Sequence, residues 1–211
     1  MDVIRELSSS HSVCAATIGS FDGVHRGHKF LIDRVKAVAQ KEQCRSAVVT
    51  FSMPPQQVVN PLFKPQLINT YEEKIQELSQ TGVDECFVLD FTKELSDYSA
   101  MRFMNDILRE QFGVAHLVIG YDHRFGHNRS EGYNDYILYG KEMNMSVEAV
   151  PAFEWHDRII SSSVIRQSLM AGDVEAANDA LSYSYYLNGI VGEGHQIGRQ
   201  IGFPTANVMV N

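Results

Sequence analysis

Cysteine is sparse in this chain of 211 residues: Cys14, Cys44 and Cys86 are odd in number and far apart. That spacing argues against a disulfide framework or a C-x-x-C pair and leaves reduced, buried thiols, as in a cytoplasmic protein. No apolar run approaches the ~20 residues a membrane span needs. The opening M-D-V-I-R-E-L has no apolar signal-peptide core. Positive charge is also short, with 18 Lys and Arg against 26 Asp and Glu and a net charge of −8. That balance argues against a nucleic-acid binder. An anionic small molecule stays open as a substrate, because a few cations in one pocket outweigh the global sign. Proline is scarce as well, and four of the six (Pro54, Pro55, Pro61, Pro65) fall between Met53 and Leu67. This stretch reads as a long loop without regular structure, covering a sheet. What remains is ordinary globular composition, 44% hydrophobic and 21% charged, enough for one domain or one domain plus a fragment.

The most informative stretch is I-G-S-F-D-G-V-H-R-G-H-K-F-L, Ile18 to Leu31. An apolar run, Val13 to Ile18, ends in Gly19, a turn passes through Asp22 and Gly23, and a helix is expected from Arg26. Leu31, Val35 and Val38 recur there at helical spacing. His25 and His28 share a helical face, and Gly27 between them leaves bare backbone. Unpaired N–H groups, the positive end of the helix dipole and two ring donors together suit a phosphate chain.

Further strands are expected at Arg45–Phe51, Cys86–Asp90, His116–Gly120 and Ser146–Val150. Helices are expected from the Thr70-x-x-Glu73 capping box to Gln80 with Gly82 as its stop, over Ser99–Phe112 with Met101, Met104, Ile107 and Leu108 on one face, and over Tyr133–Met143. Strands alternating with helices indicate an α/β fold with a parallel sheet. Two more stretches carry chemistry. The fourth of these strands leads into Y-D-H-R-F-G-H-N-R, where charge, an aromatic ring and glycine lie beyond a strand's carboxyl end, the place for ligands in an open sheet. R-I-I-S-S-S-V-I-R, from Arg158 to Arg166, places hydroxyls at a helix start with an arginine one turn in, a grip for pyrophosphate. From Tyr185 the chain turns glycine-rich and alternating, which suits β-structure.

On these residues the chain resembles the bacterial bifunctional riboflavin kinase/FAD synthetases, within the nucleotidyltransferases with an H-x-G-H signature. G-S-F-D-G-V-H-R-G-H matches the first motif apart from Ser20. Gly120, Asp122, Phe125 and Gly126 match the flavin-associated loop, with His123 where Phe is usual. Ile160, Ser161, Ser162, Ile165 and Arg166 match I-S-S-T-x-I-R, with Ser163 for Thr. Pro54 stands where the family has the His of a His-Pro pair, so the proline-rich loop receives no catalytic role. G-F-P-T-A-N resembles the start of the family's kinase barrel. The resemblance implies a Rossmann-like nucleotidyltransferase fold over residues 1–184 and the N-terminal fragment of a riboflavin kinase β-barrel over 185–211. About 27 residues cannot close a barrel, so this tail is expected to be flexible and without kinase activity of its own, although the parent protein is expected to phosphorylate riboflavin.

The activity implied is transfer of AMP from ATP to FMN, giving FAD and pyrophosphate, with Mg²⁺ bridging phosphate oxygens. ATP would be held by Gly19, Phe21, Asp22, His25, Gly27, His28, Ser161, Ser162, Ser163 and Arg166. Of these, His25, His28, Ser162 and Arg166 are the catalytic candidates, and Asp22 is expected to fix the turn. Asp122, Phe125, Gly126 and Asn128 are the flavin candidates, and Thr205 and Asn207 the kinase fragment's nucleotide and metal candidates. No metal ligand is assigned in the adenylyltransferase domain. The FMN phosphate is ionised at neutral pH, so no general base is required. Three alternatives stay open: another transferase of the superfamily, a non-catalytic flavin or nucleotide sensor, and a metal module using His25 and His28 with His123 or His127. Small-molecule partners are expected, without nucleic acid or membrane.

Overall fold

Alternate residues of one strand feed two different hydrophobic layers: Cys14, Ala16 and Ile18 pack on one face and Ala15 on the other. A strand buried on both faces belongs in the middle of a helix-covered parallel sheet, and that is the architecture of the computed structural model, which describes residues 1–5, 12–127, 130–156, 158–192, 194 and 197–210. In chain order the elements begin with β1 (Asp2–Ile4), β2 (Cys14–Ile18), α1 (Arg26–Glu42), β3 (Arg45–Phe51), α2 (Pro55–Val59), α3 (Tyr71–Ser79) and β4 (Glu85–Leu89). They continue with α4 (Lys93–Ser96), α5 (Ala100–Arg102), a π-helix at Phe103–Arg109, β5 (Val114–Gly120), α6 (Tyr133–Glu142) and β6 (Ser146–Val150). The hairpin β7 (Glu154–Trp155) and β8 (Arg158–Ile159) leads to α7 (Ser162–Met170) and α8 (Val174–Leu181). Last come β9 (Gly189–Gly192), α9 (Ile197–Gln200) and β10 (Asn207–Val210).

The six-stranded sheet has the order β1-β4-β3-β2-β5-β6 and is parallel at every pairing. The chain builds outward from β2 through β3 to β4, then crosses to the other side of β2 for β5 and β6. The strand order reverses between β2 and β5. Loops leaving their carboxyl ends diverge there, and a crevice opens. Ile32, Val35 and Ala39 of α1 are buried on one sheet face. Phe103, Met104, Ile107, Leu108 and Tyr136 close the other.

Two expectations are corrected. The proline-rich stretch does contain regular structure, the single turn α2 with Pro55 at its start, where a missing N–H costs nothing. Residues 99–112 are not one α-helix. Glu110 N donates to Asn105 O and Phe112 N to Ile107 O, five residues back. This wider turn buries Phe103, Met104, Ile107 and Leu108 but leaves Met101 41% exposed, off the expected face. The hairpin β7–β8 and edge strand β1 were too short to show a period. The Thr70–Glu73 capping box is present in both directions, and Gly82 turns the chain at φ +75°.

At the C-terminal end, β9 and β10 form an antiparallel pair; closure into a barrel is not part of the described fold. The segment before β9 packs against the β2–α1 loop and α3. Tyr183 Oη is 2.9 Å from Gly23 O and 3.1 Å from Asn69 Oδ1, and Tyr186 Oη donates to Glu77 Oε1 at 3.1 Å. Asn188 donates to Glu73 Oε1 through Nδ2 at 2.9 Å. No helix among the described residues is long and apolar enough to cross a membrane.

Candidate active site

The β2–α1 loop is strained and buried. Phe21 and Val24 take positive φ values, +52° and +37°, and each is almost wholly enclosed. Such backbone costs of order 1–3 kcal/mol per residue and persists only when the surroundings over-determine it. Here Phe21 and Val24 are wedged into the cluster with Ile32, Val48 and Leu78. Gly23 (φ +84°) has no room for a side chain: a Cβ would lie 2.9 Å from Ile68.

His25 is the N-cap of α1. Its Nδ1 accepts from His28 N at 3.3 Å, which places the ring proton on Nε2. The two rings stack, with centroids 3.6 Å apart. Burial lowers the His25 pKa to about 4, and the charge of Lys29 adds to this. Burial also holds His28 well below its ordinary value, with His25 second. Both are therefore neutral at physiological pH, and each offers a phosphate one N–H rather than a full positive charge. His28 Nδ1 is enclosed with no hydrogen-bond partner among the described residues. Gly27 lies against His25, and a Cβ there would meet its ring at 3.2 Å and Ile160 O at 3.4 Å.

That last contact joins the two motifs. Ser162 Oγ donates to Asp22 O at 2.9 Å, and Arg166 Nη1 donates to Asp22 Oδ2 at 2.7 Å. Arg166 also reaches Ser163 Oγ at 3.2 Å. The start of α7 is thereby pinned to the loop that leads into His25 and His28. Ser161 caps α7 by accepting from Val164 N. Ser162 uses its proton on Asp22, so among the three hydroxyls Ser163 is the one facing the guanidinium. Asp22 Oδ1 in turn accepts from Ile68 N (2.8 Å) and Asn69 N (3.4 Å). Burial raises the Asp22 pKa despite these N–H groups and the nearby Arg166 and Lys74. Gly19, just past β2, packs on the Phe21 ring.

Beyond β5, Asp122 is exposed on the turn. Phe125 is partly buried: it stacks on Tyr136 at 4.3 Å and lies near Phe103. Gly126, at φ +89°, sits so close to α5 that a Cβ would be 2.6 Å from Ala100 N. Asn128 lies outside the described residues. Between this loop and the sheet edge is an open recess of ≈ 350 Å³ lined by Phe51, Phe91, Leu95, Tyr98, Phe103 and Phe125, among others. Phe51 separates it from a second recess of ≈ 370 Å³, whose wall includes Ser20, Asp22, Asn69, Thr70, Tyr71 and Lys74. Thr205 and Asn207 are exposed at the C-terminal pair, Asn207 opposite Gly192. No group of three or more His, Cys, Asp or Glu suited to a metal ion occurs among the described residues.

Sequence reasoning missed Asn69, Lys74 and Tyr183. Lys74 carried a faint signal: it is four residues before Leu78, on the buried face of α3, where hydrophobic periodicity predicts an apolar side chain.

Comparison with known proteins gives this site a lineage. The FAD synthetase family model matches residues 7–164, and the riboflavin kinase model matches 181–211. The chain is 33% identical over 207 residues to the bifunctional riboflavin kinase/FMN adenylyltransferase of Pseudomonas fluorescens, covering 98% of the chain and 66% of that protein. It is 34% identical over 195 residues to the protein of the same name from Listeria monocytogenes, covering 92% and 62%. The chain thus spans just under two thirds of the length of these relatives. In three dimensions it is similar to the crystal structure of a macrolide-efflux protein from Streptococcus pneumoniae, with a TM-score of 0.87 and 28% identity over 100% of this chain and 69% of that one. With a parallel sheet, an H-x-G-H helix start and a serine-arginine helix pinned against it, the chain belongs to the FAD synthetase family.

Proposed function

We propose that residues 1–184 transfer AMP from ATP to FMN, releasing pyrophosphate and giving FAD, and that residues 185–211 begin a riboflavin kinase unit of the parent protein. The observation that carries this reading is the pair of hydrogen bonds that Ser162 and Arg166 donate to Asp22, which sets one polyphosphate-binding helix start beside the two stacked imidazoles. An oxygen of the FMN phosphate attacks the α-phosphorus of ATP. The new P–O bond forms as the bond to the β-phosphate oxygen breaks, and charge moves onto the departing pyrophosphate. The reaction requires alignment and charge stabilisation rather than a base.

His25 and His28 act as neutral donors to the triphosphate, and Gly27 lets the nucleotide lie against bare backbone. Arg166, held ready by Asp22, and Ser163 take the leaving phosphates together with the N–H groups at the start of α7. Asp22, with three N–H partners, does not fit a metal ligand, so Mg²⁺ enters with ATP as its chelate and is written as part of that substrate. The aromatic recess bounded by Phe125 and Phe103 receives the isoalloxazine, with Gly126 keeping the loop close and Asp122 at its rim. In the kinase unit, Thr205 and Asn207 are assigned to nucleotide phosphate and metal. The test is incubation with ATP, Mg²⁺ and either FMN or riboflavin, followed by separation of flavins. FAD from FMN is expected, with His28→Ala reducing turnover by about 10²–10³. A folded His28→Ala enzyme with normal turnover removes His28 from the mechanism, and no FAD from the parent chain refutes the reading.

A further inference from the structure

Lys74 is only 9% exposed, yet no carboxylate lies within ion-pair distance of it among the described residues. Lysines are rarely so buried without a partner. Its Nζ donates to Phe51 O at 2.8 Å and to Thr50 Oγ1 at 3.3 Å. An ammonium has three N–H groups; the third makes no hydrogen bond among the described residues, and Nζ lies 5.6 Å from the centroid of the Tyr71 ring. Two more donors nearby make no hydrogen bond among the described residues: Asn69 Nδ2 and Tyr71 Oη are both enclosed. All three residues line the recess on the far side of Phe51 from the aromatic one. The acceptor on the same wall, Asp22, is already taken up by Ile68 N, Asn69 N and Arg166. Arg5 adds positive charge over the Tyr71 ring, 4.9 Å from its centroid. A pocket with surplus donors, a buried cation and a compensated carboxylate is built for a compact anion with several oxygens.

We propose that Lys74 and Asn69 hold the terminal phosphate monoester of the acceptor flavin nucleotide, so that this recess distinguishes FMN from riboflavin. The assignment rests on the adenylyl-transfer reading and adds to it a specificity site outside all three sequence motifs. Ser20 and Asp22 on the recess wall belong to the loop that leads into His25 and His28, which places such a phosphate beside the nucleotide it must attack. Phe51, shared by both recesses, lets a flavin ring lie on one side and its phosphate on the other. Burial lowers the Lys74 pKa, and a bound dianion would reverse that shift.

The experiment measures binding of FMN and riboflavin to the full chain by flavin fluorescence, for the parent, Lys74→Met and Asn69→Asp. Asn69→Asp keeps the oxygen that faces Tyr183 and changes only the unspent donor into an anionic oxygen. The parent is expected to prefer FMN by about 10–100-fold, the worth of a charge-assisted hydrogen bond. Both variants should lose most of that preference while riboflavin affinity stays within about 2-fold. Equal weakening of both flavins would make Lys74 a structural clamp and overturn the proposal, as would an unchanged preference. Should Lys74→Met fail to fold, Asn69→Asp alone decides. A parent chain that makes FAD while the variants keep their preference for FMN defeats this inference only; a parent chain that makes no FAD defeats the adenylyl-transfer reading itself.

Discussion

His25→Asn separates the titration of a buried imidazole from its work as a helix cap. Asparagine is among the best N-cap residues, and its Oδ1 occupies the place of Nδ1, so the bond from His28 N is retained. What disappears is a group whose pKa falls from 6.5 to about 4 on folding because its charged form is desolvated. Between those values the unfolded chain binds a proton that the folded chain refuses. The stability due to neutral His25 is therefore complete above the unfolded value and is lost as pH falls toward the folded one. Integrating the proton difference from about pH 7.5 down to about 4.5 gives a loss of about 2–3 kcal/mol from this residue. Urea unfolding at the two pH values measures it directly. The parent chain should lose about 2–3 kcal/mol more than His25→Asn over that interval, while His28, present in both, cancels to first order. Parallel stability–pH curves for the two proteins would show that His25 is neither buried nor neutral in the way described, and would undermine its role as an uncharged donor.

Asp22→Asn should keep stability within about 1 kcal/mol, because the amide escapes the burial cost that raises the Asp22 pKa and still accepts from Ile68 N. It removes the anionic partner of Arg166, and turnover should fall about 10²-fold; unchanged turnover would show that Asp22 does not position the guanidinium. Gly126→Ala should cost about 2 kcal/mol or more, combining backbone strain at φ +89° with a Cβ 2.6 Å from Ala100 N and 2.9 Å from Glu131 Oε2. Thermal unfolding should shift down by about 4–8 °C for that loss, and weaker FMN binding should accompany it.

Much of the fold was legible because its signals are local. Val13–Ile18 followed by glycine, the Thr70–Glu73 box, and Ser161 before an apolar-periodic run each specify a helix or strand boundary through backbone hydrogen bonds. The two segments proposed to grip phosphate were legible for the same reason. That they meet was not, since it depends on the crossover from β4 to β5 and on Asp22, whose carbonyl and carboxylate serve a helix 140 and more residues away. Phe125 illustrates the limit from the other side: its place in a motif suggested a ring offered to a ligand, but nothing local showed that the ring also stacks on Tyr136. Lys74 escaped notice because a lysine at an apolar position of the period reads as a simple interruption, and its enclosure depends on tertiary packing. The π-turn at Phe103–Arg109 escaped because its hydrophobic spacing is close to that of an α-helix.

The docked segment from Tyr183 to Asn188 has a mechanical consequence. Its anchors are one phenol against the carbonyl of Gly23 and two contacts to the carboxylates of a single helix. The chain past Asn188 therefore departs from a point tied to α3 and the β2–α1 loop. A tug on that exit is delivered, within a few bonds, to the glycine two positions before the first imidazole.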